Sequence, residues 1–93
     1  MSKANIVSEF GLNKTQVDNI DFYLSSIKEH NKHTNLVGKS TIENIWDRHV
    51  LDCLQLTKHI TNKKLKIIDL GTGAGLPGVL FSIVGYQKVL MVD

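Results

Sequence analysis

A chain of 93 residues, 42% hydrophobic and 22% charged with a net charge of +2, has the profile of a small globular protein that tolerates an anionic partner without demanding one. A lone cysteine, Cys53, excludes an intrachain disulfide and favours a reducing, cytoplasmic setting. No stretch approaches the ~20 apolar residues of a membrane span, and Met1-Ser2-Lys3-Ala4-Asn5 indicates no signal peptide.

Before Leu65 the pattern is helical. A short helix is expected over Lys3 to Phe10, stopped by Gly11. Thr15-x-x-Asp18 reads as a variant capping box opening a second helix. Its buried face is Val17, Ile20, Tyr23 or Leu24, and Ile27, spaced i, i+3/i+4, i+7. That helix is expected to fade near Glu29 to Asn31, leaving Asn31 to Asn35 as a loop or frayed end. Ser40-x-x-Glu43 is a cleaner capping box, starting a third helix that runs to about Ile60. Its stripe is Ile42, Ile45, Trp46, His49, Val50, Cys53 and Leu54. Arg48 and Asp52 stand four apart on the neighbouring face, a spacing that suits an ion pair. Trp46 and Cys53 read as core residues, and His49 reads as a core histidine more readily than as a ligand. The four histidines have no companions at metal-ligand spacing, so no zinc site is expected. Lys63 and Lys64, with Lys58, Lys66 and Lys32, could attract phosphates, although lysines in turns are usually just solvated.

At Leu65 the helical period gives way to short apolar runs. Leu65 to Leu70 approximates a parallel strand buried on both faces. It breaks into Gly71-Thr72-Gly73-Ala74-Gly75-Leu76-Pro77-Gly78, where glycines permit a tight turn and a close backbone approach to a ligand. Pro77 suits the first turn of a following helix, whose N-terminus offers N–H groups to anions. Leu80, Phe81, Ile83 and Val84 give that helix an apolar face, and Gly85 ends it. A second strand, Val89 to Val92, leads into Asp93. Strand, glycine loop, helix, strand, acid is the opening of a nucleotide-binding α/β domain.

Two nucleotides fit that opening. Gly73-x-Gly75-x-x-Gly78 with Asp93 ~20 residues on satisfies the dinucleotide fingerprint. The register Asp69-x-Gly71-x-Gly73-x-Gly75 instead resembles the cofactor loop of S-adenosylmethionine-dependent methyltransferases. In that superfamily the loop packs on the methionine part of the cofactor, and the acid ending the second strand binds both ribose hydroxyls. Asp93 serves either ligand, whereas Asp69 favours the methyl donor.

Asn35-Leu36, Arg48-His49-Val50-Leu51-Asp52 and Asp69 to Gly78 occur together in the order and spacing of one family. The chain resembles the N-terminal half of the bacterial small-subunit ribosomal RNA methyltransferase G (glucose-inhibited division protein B) family. Where that family usually has serine after Arg-His-x-x-Asp, this chain has Cys53. The resemblance implies an α/β fold: an N-terminal helical region over residues 1–62, then over 63–93 the first βαβ unit of a Rossmann-like methyltransferase domain, incomplete here. It implies a cytoplasmic rRNA-processing transferase that methylates guanine N7 in small-subunit (16S) rRNA, with S-adenosylmethionine as cofactor and no membrane or metal partner. The expected cofactor residues are Asp69, Gly71, Gly73, Gly75, Leu76 and Asp93. Asn35, Arg48 and His49 are expected on the substrate side, and no catalytic acid or base is marked. An incomplete sheet further implies an inactive or partial enzyme that self-associates through unpaired strand edges. The competing expectations are an NAD-dependent oxidoreductase fragment using Gly73, Gly75, Gly78 and Asp93, and a non-catalytic remnant that binds RNA or a partner chain.

Overall fold

The computed structural model describes residues 2–34, 45–70 and 78–92. Two helices open it. In α1, Lys3–Glu9, the Ser2 hydroxyl caps the first turn by accepting from the Asn5 N–H at 3.2 Å. The helix closes when Leu12 N–H reaches Val7 O and Gly11 N–H reaches Ser8 O. That paired closure needs a left-handed residue, supplied by Gly11 at φ 61. Seven residues do not hold a helix in water. Fully buried Ile6 therefore anchors α1, its burial contributing about 1.5–3 kcal/mol.

The second helix, α2, spans Lys14–Thr34. Its capping box is Asn13–Gln16 rather than the expected Thr15–Asp18. Asn13 Oδ1 accepts from the Gln16 N–H at 2.8 Å, and Gln16 Oε1 accepts from the Asn13 N–H at 2.9 Å. Asn is the stronger cap and Gln completes the reciprocal pair, so the helix starts earlier and Asp18 pairs with Lys14 at 2.8 Å instead. At its other end the helix continues beyond the expected fade at Glu29 to Asn31. Ile20, Leu24 and Ile27 form the buried stripe, Leu24 taking the position that Tyr23 could have filled.

The expected third helix differs most. Its Ser40–Glu43 start lies outside the described residues. Trp46–Val50 is a π-helical turn that runs directly into α3, Leu51–Leu56. The helix ends at Leu56 rather than Ile60. Thr57, Lys58 and His59 N–H groups bond three residues back, and the Thr57 hydroxyl also donates to Leu54 O at 2.5 Å. Both effects tighten and end the last turn. Arg48 and Asp52 form no ion pair among the described residues, because the wider π turn offsets side chains four apart. Trp46 is half-buried as a tie between elements. Its Nε1 donates to Asp21 Oδ1 at 3.3 Å, while Lys3 bonds the same carboxylate at 2.7 Å and lies 5.2 Å from the indole centre.

The rest is one βαβ unit. Parallel strands β1, Lys66–Leu70, and β2, Lys88–Val92, pair from Lys66↔Lys88 to Leu70↔Val92, with α4, Gly78–Ile83, between them. Gly85, at φ 108, ends α4 through bonds from Tyr86 N–H to Phe81 O and from Gly85 N–H to Ser82 O. The Phe81 and Tyr86 rings meet edge-on at 5.3 Å, the apolar contact that accompanies such a cap. The Tyr86 hydroxyl donates to Ile60 O, and Lys63 Nζ to Val84 O at 2.6 Å. These bonds fasten the chain entering β1 to the end of α4.

Ile6, Ile20, Leu24, Ile27, Val50, Cys53, Leu54, Leu80, Phe81, Val84 and Tyr86 make one buried cluster. It draws on the helical region and on the βαβ unit together. Only one sheet face adjoins it. Ile67 and Val89 pack against the cluster, whereas Ile68 (54% exposed), Leu70 (75%), Leu90 (51%) and Val92 (41%) share the open face. A β1 covered on both faces is therefore not what the described residues show. An apolar run does not distinguish a strand that is covered twice from one covered once.

Candidate functional site at the end of the first strand

Side chains alternate along a strand, so Ile67 and Asp69 leave β1 on one side and Ile68 and Leu70 on the other. Asp69 is thereby brought to the start of α4, where its Oδ2 accepts the Gly78 N–H at 3.0 Å. The helix N-terminus that the sequence offers to an anionic ligand already has a protein carboxylate on its first N–H. A Cβ at Gly78 would lie 2.6 Å from Met91 Cγ, 2.8 Å from Met91 Sδ and 3.0 Å from Asp69 Oδ2. Glycine lets the first turn of α4 settle against β2 and against the acid together. The sequence names Gly78 in the glycine run, in the family motif and in the dinucleotide fingerprint, and only the last gives it a role of its own, a third glycine that serves close helix–strand packing. That was the available signal for its role here.

The Asp69 carboxylate also acts on side chains of α2 and α3. Burial pushes the Tyr23 hydroxyl up to about 12, and the charges of Cys53 and Asp69 push the same way. Burial likewise pushes the Cys53 thiol up to about 11, with Asp52 and Asp69 adding to it. Both groups hold their protons at neutral pH, and both feel the Asp69 carboxylate. Tyr23 was read from the sequence only as a core alternative to Leu24. Its electrostatic link to Asp69 comes from tertiary packing, in which α2 lies against α4, and no local pattern encodes that.

Of the expected site residues, the structure describes three. Asp69 is half-buried at the strand end. Arg48 is exposed and His49 half-buried on the π turn. Asn35, Gly71, Gly73, Gly75, Leu76 and Asp93 lie outside the described residues, as does Pro77. Among the described residues no group of three His, Cys, Asp or Glu side chains could hold a metal ion, and no helix is long and apolar enough to cross a membrane.

Helices leading into a strand, an acid-capped helix and a parallel second strand define the class: this is part of an α/β methyltransferase domain, with two strands among the described residues. The chain belongs to the rRNA small subunit methyltransferase G (GidB) family, whose model matches residues 16–93. It is similar to the ribosomal RNA small subunit methyltransferase G of Rickettsia prowazekii (strain Madrid E), 43% identical over 77 residues that cover 83% of this chain and 40% of that protein. The proteins of the same name from Rickettsia typhi (strain ATCC VR-144 / Wilmington) and Rickettsia rickettsii (strain Sheila Smith) are 43% and 42% identical over the same coverage. The chain thus spans about 40% of the length of these curated relatives. No solved structure matches it.

Proposed function

We propose that this chain carries the methyl-donor side of an S-adenosylmethionine-dependent enzyme that methylates guanine N7 in small-subunit ribosomal RNA in the cytoplasm. The family supports an rRNA methyltransferase. The observation that favours S-adenosylmethionine over a dinucleotide is the bond from Gly78 N–H to Asp69 Oδ2. A dinucleotide-binding unit seats its pyrophosphate at this helix N-terminus. A carboxylate already there opposes a phosphate about 4 Å away by roughly 1–4 kcal/mol, from water-like to protein-surface dielectric. S-adenosylmethionine has no phosphate and meets no such repulsion.

The residues divide the work. Gly73 and Gly75 allow the backbone to approach the ligand closely, while Gly71 and Leu76 contact it. Asp69 fixes where α4 begins, and Asp93 accepts from both ribose hydroxyls. Asn35, Arg48 and His49 face the RNA. S-adenosylmethionine, when bound, supplies an electrophilic sulfonium methyl group. Guanine N7 already has a lone pair, so the chain needs no general base for the attack. Its contribution is orientation and close approach, with electrostatic support as the guanine becomes cationic. This accounts for a site without an obvious acid–base pair.

Calorimetric titration with S-adenosylmethionine and, separately, with NAD tests the reading. Binding of the former, weakened at least tenfold by Gly71→Val and by Asp93→Ala, is the expected result. Tighter binding of NAD, or affinity for S-adenosylmethionine unchanged in both variants, overturns it.

A further inference from the structure

We infer that the starting edge of the sheet, opposite the methyl-donor end, is a phosphate-binding surface for RNA built by Lys64, Lys66 and Lys88. The inference rests on the reading above that RNA is the substrate, and it adds where the RNA backbone is held.

Charge is segregated along the sheet. Residues 57–68 and 84–92 contain Lys58, Lys63, Lys64, Lys66 and Lys88 and no acid at all, whereas Asp69 and Asp93 stand at or just beyond the strand ends. Two of the lysines are committed elsewhere: Lys58 pairs with Glu9 at 3.1 Å, and Lys63 donates to Val84 O at 2.6 Å. Lys64, Lys66 and Lys88 are exposed, and among the described residues no acidic side chain pairs with them.

Lys66 and Lys88 are partners in the parallel register, on strands ~4.8 Å apart with both side chains on the same face. Like charges placed opposite each other across strands are destabilising. A phosphate between them reverses that sign. The same two lysines, with Gln87, Val89 and Leu90, line a groove of about 530 Å³ on this part of the sheet. Lys66 stands four residues before Leu70, so the surface lies roughly 13 Å from the methyl-donor end. A backbone held at the lysines leaves a neighbouring guanine within reach of that end. Edge lysines also deter strand-to-strand aggregation, a role that requires no RNA, and the experiment separates the two.

Anisotropy of a fluorescein-labelled single-stranded RNA oligonucleotide is measured against the full chain in rising potassium chloride. For the Lys66→Gln/Lys88→Gln variant, the slope of log K against log salt should shrink by about 1.4, two phosphate contacts at ~0.7 each. Lys64→Gln lies in the turn, outside the strands, and should shrink it by about 0.7 without touching the sheet. Lys14→Gln, on an already paired lysine at the start of α2, should leave it unchanged. Unchanged slopes in the sheet variants, an equal loss in Lys14→Gln, or no RNA binding by the native chain overturns the proposal. So does equal lysine-dependent binding to phosphatidylglycerol vesicles, which would make the surface a membrane contact. S-adenosylmethionine titration of the same samples keeps the two readings apart. Lysine-dependent RNA binding without cofactor binding sinks the methyl-donor assignment and leaves the surface standing.

Discussion

Asp69 and Gly78 are joined by a 3.0 Å hydrogen bond from the Gly78 N–H to the Asp69 carboxylate, so that the end of β1 fixes the beginning of α4. Nine residues apart in sequence, they bracket the glycine segment whose ends they hold together. The bond satisfies one of the N–H groups that every helix start leaves unpaired, and it puts negative charge where helix polarity favours it. The carboxylate whose place before the glycines resembles a methyl-donor loop thus also holds the first N–H of α4.

Asp69→Ala should cost about 1–3 kcal/mol, because it strands the N–H of buried Gly78. Asp69→Asn retains an acceptor and should cost less than about 1 kcal/mol. Urea midpoints of the two variants decide the matter. Equal losses would mean that the charge, rather than the hydrogen bond, secures the start of α4.

Gly78→Ala should destabilise by about 1–2 kcal/mol, toward the low end of overpacking costs, since Met91 is 42% exposed and can swing aside. The methyl group also forces Asp69 Oδ2 back from 3.0 Å. In a Met91→Ala background the penalty should fall by at least half. Additive losses in the double-mutant cycle would place the crowding elsewhere.

Alkali should weaken the fold. The Cys53 thiol rises from 9.0 to about 11 and the Tyr23 hydroxyl from 10.0 to about 12 on folding. The folded state therefore holds these protons more tightly, and burial raises Tyr86 in the same direction. Their stabilisation is fully present below pH 9 and is lost as pH rises from about 9 to about 12. Thermal midpoints should decline over that window. Cys53→Ala should flatten the start of the decline, and Tyr23→Phe the part above pH 10. Parallel declines in all three proteins would contradict the assignment.

The open face of Ile68, Leu70, Leu90 and Val92 should drive association of the 93-residue chain. Exposed apolar surface beside unpaired strand edges favours contact between copies. Sedimentation velocity should show the mean mass rising with concentration, and Leu70→Lys/Leu90→Lys should suppress the rise. A native chain that stays monomeric throughout would refute this.

Much of this architecture is legible in the residues. Gly11 and Gly85 mark helix ends, the apolar runs at Ile67 and Val89 mark the two strands, and Asp69 with its glycines marks the site proposed above. What escaped has physical causes. Asn13–Gln16 outcompetes Thr15–Asp18 because two adjacent capping signals overlap and only side-chain geometry selects between them. The π turn at Trp46–Val50 keeps the apolar stripe of an α-helix, so periodicity does not reveal it. The closeness of Gly78 to Met91 and Asp69 and the influence of the Asp69 charge on Tyr23 are products of tertiary packing.

The central claim is that these residues form the methyl-donor side of an rRNA guanine-N7 methyltransferase. Its most direct measurement joins residues 1–93 to the part of the Rickettsia prowazekii relative that lies beyond the matched segment. The purified chimera is then incubated with small-subunit rRNA and methyl-labelled S-adenosylmethionine, and the RNA is analysed for 7-methylguanosine. Transfer to guanine N7 that falls at least tenfold with Gly71→Val and with Asp93→Ala is the expected result. A folded chimera that transfers no methyl group, or whose transfer is untouched by both substitutions, would contradict it.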